Sequence, residues 1–384
     1  MINMFNKKIK VYFIAQYQAG IDKFYSVVKE MQKDPKFDVK VLAVPNDIKD
    51  LSRNKEYDYW YNKFGDITID SIQDGKWYNL KKQKPDYVFI QRPYDIYVPN
   101  EYKKETMFEY TKICYIPYGF PLANIFFITY TLEDAKKVNI IFSEHDISNA
   151  FYHEQLKEIN DGIDRKIANL GFPSLDEAKK KVDNNTSVFN NIENKVNVNF
   201  LWAPRWTTDK DAVETSFFDY KESIIKYFKK NNDCKLVFRP HPLTFKNFIE
   251  KKLMSEKEVK DYLNRFKDNM YYDNTEEYLD TFRDTDVLIG DFSSIIIEFF
   301  LYNKPVIYTQ KVPYNKNSYM EKLEKVFYHV KNEKELFKEL DNLRKGIDPL
   351  KEKREKLAKE LFANYDGKVA YRIKEYIKND YEKN

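Results

Sequence analysis

An arginine and a histidine set in a proline-bracketed turn, Arg239-Pro240-His241-Pro242, follow the apolar run 235–238. Each proline fixes its own φ and removes a backbone donor, so the turn aims the imidazole with little freedom. Arginine offers a permanent bidentate charge to phosphate. Histidine, titrating near neutrality, can donate to a phosphate oxygen or protonate a leaving group. The plainer alternative is a capped turn with an incidentally exposed imidazole. A second group, Asp291-Phe292-Ser293-Ser294, stands between the apolar run 286–289 with Gly290 and the apolar segment that carries Glu298. That order reads strand, turn, helix, with Asp291 or Ser293 as N-cap. The helix's first N–H groups and two hydroxyls are then available to an anion, and a purely structural Ser-Ser cap is the competing reading. A third group, Leu201-Trp202-Ala203-Pro204-Arg205-Trp206, ends an apolar run on a polar loop, where Trp206 could stack on a base or fill core.

Other signals carry less. Asp284-Thr285-Asp286 has the spacing of a metal-binding Asp-x-Asp, but Asp286 opens an apolar strand. The chain has nine glycines, no Gly-x-Gly-x-x-Gly and no Walker lysine loop, which argues against dinucleotide oxidoreductases and P-loop ATPases. No Cys/His cluster has zinc spacing. Cys114 and Cys234 lie far apart beside apolar runs and read as buried free thiols of a reducing compartment.

Residues placed just after strands matter because open α/β sheets bind ligands at the carboxyl ends of their strands. At 384 residues the chain is long enough for two domains. Its 42% hydrophobic and 17% aromatic content excludes a disordered chain. Apolar runs at 9–15, 37–44, 87–90, 112–116 and 138–142 alternate with helical or polar stretches, as a parallel sheet with crossover helices requires. A second series has runs at 196–202, 235–238, 271–272, 286–289 and 305–308, with a helix ending near Lys230. The polar stretch 171–195 between the two series reads as a linker. The expected division is therefore an N-terminal α/β domain at 1–170, the linker 171–195, and a C-terminal α/β domain at 196–350. Over 351–384, Leu357, Leu361, Tyr365, Ile373 and Tyr376 at helical spacing predict amphipathic helices packing back on the body.

Sixty-five basic against sixty-one acidic residues leave a net charge of +4, so no nucleic-acid partner is expected and only a weak preference for anionic surfaces remains. No signal peptide and no run of about eighteen apolar residues is present. The expected location is cytoplasmic, with any association with the cytoplasmic face of the membrane peripheral.

In type and order these motifs resemble the CDP-glycerol glycerophosphotransferases of teichoic-acid and capsule synthesis. That family has a strand followed by Ala-Pro and an Arg-containing loop, similar to Leu201 through Asp209, and an Arg-Pro-His-Pro-like turn, similar to Arg239 through Pro242. It then has Asp-Tyr-Ser-Ser with an acidic residue one turn later, similar to Asp291 through Ser294 with Glu298, and a Lys-Pro strand opening, similar to Lys304-Pro305. Upstream, Gly171-Phe172-Pro173 followed by Asp176 resembles a Gly-Tyr-Pro segment joining the domains. The likeness spans roughly residues 138–308.

The resemblance implies a GT-B fold, two Rossmann-like domains with parallel sheets facing a central cleft. It also implies transfer of glycerol phosphate from CDP-glycerol to a hydroxyl of a cell-surface polysaccharide or lipid-linked acceptor, releasing CMP. By the same resemblance His241 would contact the donor phosphates, Ser293 and Ser294 the pyrophosphate, and Glu298 the ribose, with Arg205, Arg239 and Asp291 beside them. Where the family places a His-Gly pair after a first-domain strand, this chain has Tyr118-Gly119, and a phenol of unperturbed pKa near 10 is a poor base at neutral pH. Tyr118, Glu144 and His145 are therefore all candidates for the group that handles the acceptor proton. No tightly bound cofactor is expected, and a divalent metal is left open. Two rivals are a GT-B glycosyltransferase using a nucleotide sugar and a non-catalytic nucleotide- or RNA-binding protein.

Overall fold

A computed structural model describes residues 7–117, 135–143, 153, 156–157, 159–179, 187–192, 198–208, 214–275, 278–293, 295–311, 316, 318–361 and 365–383. The chain forms two α/β units, which divide near residue 180 and again near residue 362.

In the first unit the strands are β1 (Ile9–Ala15), β2 (Phe37–Ala43) and β3 (Thr68–Asp70), followed by an antiparallel ribbon of β4 (Ile72–Gln73) and β5 (Lys76–Trp77). After these come β6 (Tyr87–Ile90), β7 (Lys112–Tyr115), β8 (Ile140–Ser143) and β9 (Lys166–Asn169). Seven of them make one parallel sheet in the order β3-β2-β1-β6-β7-β8-β9. Alternate residues of β1 serve opposite faces: Val11, Phe13 and Ala15 enter one core and Tyr12 and Ile14 the other. Burial on both faces is why the strand reads as a continuous apolar run rather than an alternating one.

The stretch 171–179 belongs to this unit and is not linker. Phe172 and Leu175 are buried, and a helix runs over Ser174–Lys179. Asp176 accepts the backbone N–H groups of Val369 (3.0 Å) and Ala370 (2.7 Å), capping the helix Val369–Glu382. Gly171 has φ +100°, and a Cβ there would come within 3.0 Å of Val369 Cγ2. The Gly-Phe-Pro…Asp segment is thus a dock for the C-terminal helix. At that helix's other end, Asp380 accepts from Tyr87 Oη (2.6 Å), Lys112 Nζ (2.7 Å) and Lys166 Nζ (2.5 Å), at the starts of β6, β7 and β9. The helices expected to pack back on the body divide between the units: Lys351–Leu361 stays with the second and Val369–Glu382 completes the first.

The second unit has β10 (Asn199–Ala203), β11 (Lys235–Phe238), β12 (Met270–Tyr272), β13 (Val287–Gly290), β14 (Val306–Tyr308) and β15 (Tyr328–His329). They form a parallel sheet in the order β12-β11-β10-β13-β14-β15. An aromatic core lies on one face, with Trp202 stacked on Phe217 at 5.5 Å and 3° and Phe238 beside both. In each unit the chain adds strands outward from its first strand and then reverses to the other side. β1 and β6, and again β10 and β13, therefore flank a topological switch point. Among the described residues no helix is long and apolar enough to cross a membrane.

Candidate functional site

All three sequence-flagged groups of the second unit fall at the carboxyl ends of β10, β11 and β13. Ala203 and Gly290 are partners in register, and a Cβ on Gly290 would meet the Ala203 carbonyl at 3.3 Å, so glycine lets the two strand ends close up. Asp291 follows at once and is fully buried. One carboxylate oxygen accepts Arg205 N–H (2.7 Å); the other accepts Ser216 N–H (2.7 Å), Ser216 Oγ (3.0 Å) and Thr215 Oγ1 (3.2 Å). Burial pushes this carboxyl up, against the pull of its hydrogen bonds. The carboxylate of Asp291 therefore faces inward and ties the loop after β10 to the helix Phe217–Lys230. It does not cap the helix Ile295–Phe300, and its placement makes it a positioning group rather than a donor contact.

Arg205 extends this latch. Its Nη1 donates to the Phe292 carbonyl (3.1 Å), its Nε to Thr207 Oγ1, and its guanidinium lies 5.2 Å over the Phe292 ring. Its charge also reaches His241, whose imidazole is lowered to about 4, first by burial and then by Arg205. His241 Nδ1 accepts Leu243 N–H (3.1 Å), which leaves the ring proton on Nε2. The ring stacks on Trp206 at 5.7 Å and 28°, while Trp206's carbonyl is held by Asn247 Nδ2 (2.8 Å). Trp206 is half-buried rather than core, and one face of its ring buttresses the histidine.

Arg239 is engaged elsewhere. Its Nη1 pairs with buried Asp273 (2.5 Å), its Nη2 donates to the Thr275 carbonyl (2.8 Å), and it lies 5.3 Å over the Tyr278 ring. Tyr278 Oη in turn donates to Glu298 Oε2 (2.5 Å). Arg239, in the loop after β11, and Glu298, on the helix Ile295–Phe300, thus belong to one chain of contacts through a tyrosine that the sequence did not flag. Asp273, which locks Arg239, was missed as well; its only signal is that it directly follows the short run 271–272. Ser293 precedes the helix Ile295–Phe300, its carbonyl accepting Ile296 N–H (3.2 Å). Tyr118, Glu144, His145 and Ser294 lie outside the described residues. Asp286, discounted above as a metal ligand, accepts Asn199 N–H at 2.8 Å, and no cluster fit to hold a metal occurs among the described residues. Cys114 and Cys234 are free, buried thiols.

Arg205 and His241 thus stand at the carboxyl end of the second unit's sheet, the edge at which open α/β sheets bind ligands. Two Rossmann-like units in one chain give the GT-B fold. Solved structures of similar fold bear this out. The wall teichoic acid polymerase TagF is 15% identical with a TM-score of 0.61, covering 98% of this chain and 90% of that one, and a variant of it was solved after soaking with CDPG. UDP-GlcNAc 2-epimerase from Neisseria meningitidis, bound to UDP-GlcNAc, is 16% identical with a TM-score of 0.61, covering 96% of this chain and 100% of that one. The UDP-GlcNAc 2-epimerase of Methanocaldococcus jannaschii is 15% identical with a TM-score of 0.63, covering 96% and 99%. A search of curated proteins finds no significant match. Residues 129–379 match the family described as CDP-glycerol:poly(glycerophosphate) glycerophosphotransferase. The chain belongs to that family, and it is a transferase.

Proposed function

We propose that the protein transfers glycerol phosphate from CDP-glycerol to a hydroxyl of a polysaccharide or lipid-linked acceptor at the cell surface, and releases CMP. The observation that carries this reading is His241. It is a neutral imidazole with its proton fixed on Nε2, close to Arg205 at the carboxyl ends of β10 and β11, in a chain of this family. The acceptor oxygen attacks the β-phosphorus and forms the new P–O bond, its hydroxyl proton passing to a base of the first unit, for which Tyr118, Glu144 and His145 are the candidates. The bond to the bridging oxygen breaks, and CMP leaves with that electron pair. His241 Nε2–H donates to the phosphate oxygens as charge moves onto them, and Arg205 supplies fixed positive charge nearby. Arg239 and Asp273 hold the loop carrying Tyr278, so Arg239 acts as a positioning residue. Ser293 is assigned to the pyrophosphate, and Glu298 to the ribose alongside its bond from Tyr278. The first unit holds the acceptor. The work proceeds on the cytoplasmic side, with any membrane contact peripheral.

Calorimetry against CDP-glycerol, CMP and UDP-GlcNAc tests the donor. CDP-glycerol and CMP should raise stability by about 2.7 kcal/mol at one hundred times their Kd, and UDP-GlcNAc should not. A response to UDP-GlcNAc alone would replace the donor. His241→Ala should lower transfer by about 10²–10³-fold, the usual loss of one transition-state donor, in a protein that still unfolds in one cooperative transition.

A further inference from the structure

The first unit holds an element that the transfer reading leaves unused. The ribbon of β4 and β5 stands apart from the parallel sheet, with two residues per strand and a turn at Asp74 and Gly75, both at positive φ (50° and 69°). What it carries is Trp77. The indole is half-buried and meets buried Tyr102 edge-on at 6.0 Å and 74°, and Tyr102 Oη donates to the Tyr78 carbonyl (2.9 Å). At the ribbon's base Ser71 N–H donates to the Ala43 carbonyl (3.1 Å) and Tyr78 N–H to the Ser71 carbonyl (2.8 Å), which ties the ribbon to the end of β2.

Trp77 forms one wall of a recess of about 350 Å³, within the roughly 300–1,000 Å³ that small-ligand sites occupy. The other walls come from Ile48, in the loop after β2, and from the loop after β6, so the recess lies at the carboxyl edge of the sheet. Ile48, Val98 and Pro99 give it an apolar part; Asn100, Glu101 and Lys103 give it a polar one. The side chains of these three polar residues have no partner among the described residues, so an amide, an acceptor and a donor are open to a ligand. The charges cancel: Asp95 is paired with buried Lys104 (3.0 Å), and Glu101 is offset by Lys103. A recess without net charge gives no advantage to a phosphate or a carboxylate. An aromatic face beside a donor, an acceptor and an amide suits a ring that has one C–H face and an edge of hydroxyls.

We infer that this recess is a subsite for one neutral sugar ring, its C–H face laid on Trp77 and its hydroxyls bonded by Asn100, Glu101 and Lys103. Sugar binding stands on this geometry alone; that the sugar belongs to the acceptor rests on the transfer reading above.

The test is ligand-observed NMR of the full chain with the methyl glycosides of glucose, galactose, mannose and N-acetylglucosamine, with glycerol 3-phosphate and with CDP-glycerol. It is run on the wild type, Trp77→Ala, Trp77→Phe, Glu101→Gln and Ile96→Arg. At least one glycoside should bind the wild type. Trp77→Ala and Ile96→Arg should weaken it at least tenfold, Trp77→Phe and Glu101→Gln less, and the Kd for CDP-glycerol should stay as it was. Ile96 lines the recess and is 77% exposed, so its replacement leaves the core alone and decides the matter should Trp77→Ala not fold. No glycoside bound by the wild type, equal binding by wild type and variants, or glycerol 3-phosphate binding as dependent on Trp77 as that of any glycoside would each overturn the subsite. Sugar binding that depends on Trp77 in a protein that ignores CDP-glycerol would leave the subsite standing and remove the transfer reading.

Discussion

His241 shows how burial sets the chemistry of one side chain. The proline turn presses the ring against Trp206, and the resulting loss of solvent, with Arg205 nearby, lowers its pKa to about 4. The folded state therefore excludes a proton that the unfolded chain binds below about 6.5. The stability this group contributes is present above pH 6.5 and is lost as the pH falls from there toward 4. For the reaction, the ring stays a neutral donor throughout the neutral range, so kcat/KM should show no acid limb near 6.5 that disappears in His241→Gln. A limb there that vanishes with the histidine would mean the charged form does the work. His241→Gln, which keeps a neutral N–H, should retain more activity than His241→Ala. Sequence alone set this residue in the turn after β11 but read the imidazole as titrating near neutrality, because the stacking partner and the arginine meet it only through the fold.

Loops, more than individual side chains, decide which polar groups face a ligand. Asp291 sits in the most prominent motif of the sequence, yet it is consumed inside the protein by donors from residues 205, 215 and 216. Asp291→Asn replaces one acceptor oxygen with an NH₂ group facing existing donors. It should cost about 1–3 kcal/mol in urea unfolding and weaken CDP-glycerol binding, since the loop of Arg205 loses its tether. Unchanged stability would show that the latch is dispensable. The central strands of both sheets were legible because burial on both faces makes continuous apolar runs. The edge strands β3, β9 and β15 were not: Thr-Ile-Asp, Lys-Ile-Ala-Asn and Tyr-His are too short and too polar to show any period.

Across the whole molecule, the segment 171–179 and the C-terminal helix explain each other. Neither could be read alone, because Asp176 caps a helix 193 and 194 residues further on. At the opposite end, Asp380 is held down to about 2 by Lys112, Lys166 and Tyr87, which outweigh the cost of its burial. A carboxyl with a depressed pKa contributes stability that is present above about pH 4 and lost as the pH falls toward 2. Asp380→Asn should therefore destabilise the protein by roughly 1–3 kcal/mol at pH 7, with a smaller difference from wild type at pH 3, measured by thermal unfolding at both values. An equal difference at both would show that the carboxylate's charge is not what matters. The dock also fixes an order of events during synthesis on the ribosome. The helix that completes the first unit is translated after every residue of the second, so the later-made unit has its whole sheet in hand while the earlier one still waits for its last piece. A premature stop shortly before Val369 should then leave a folded second unit attached to a first unit that cannot close its core.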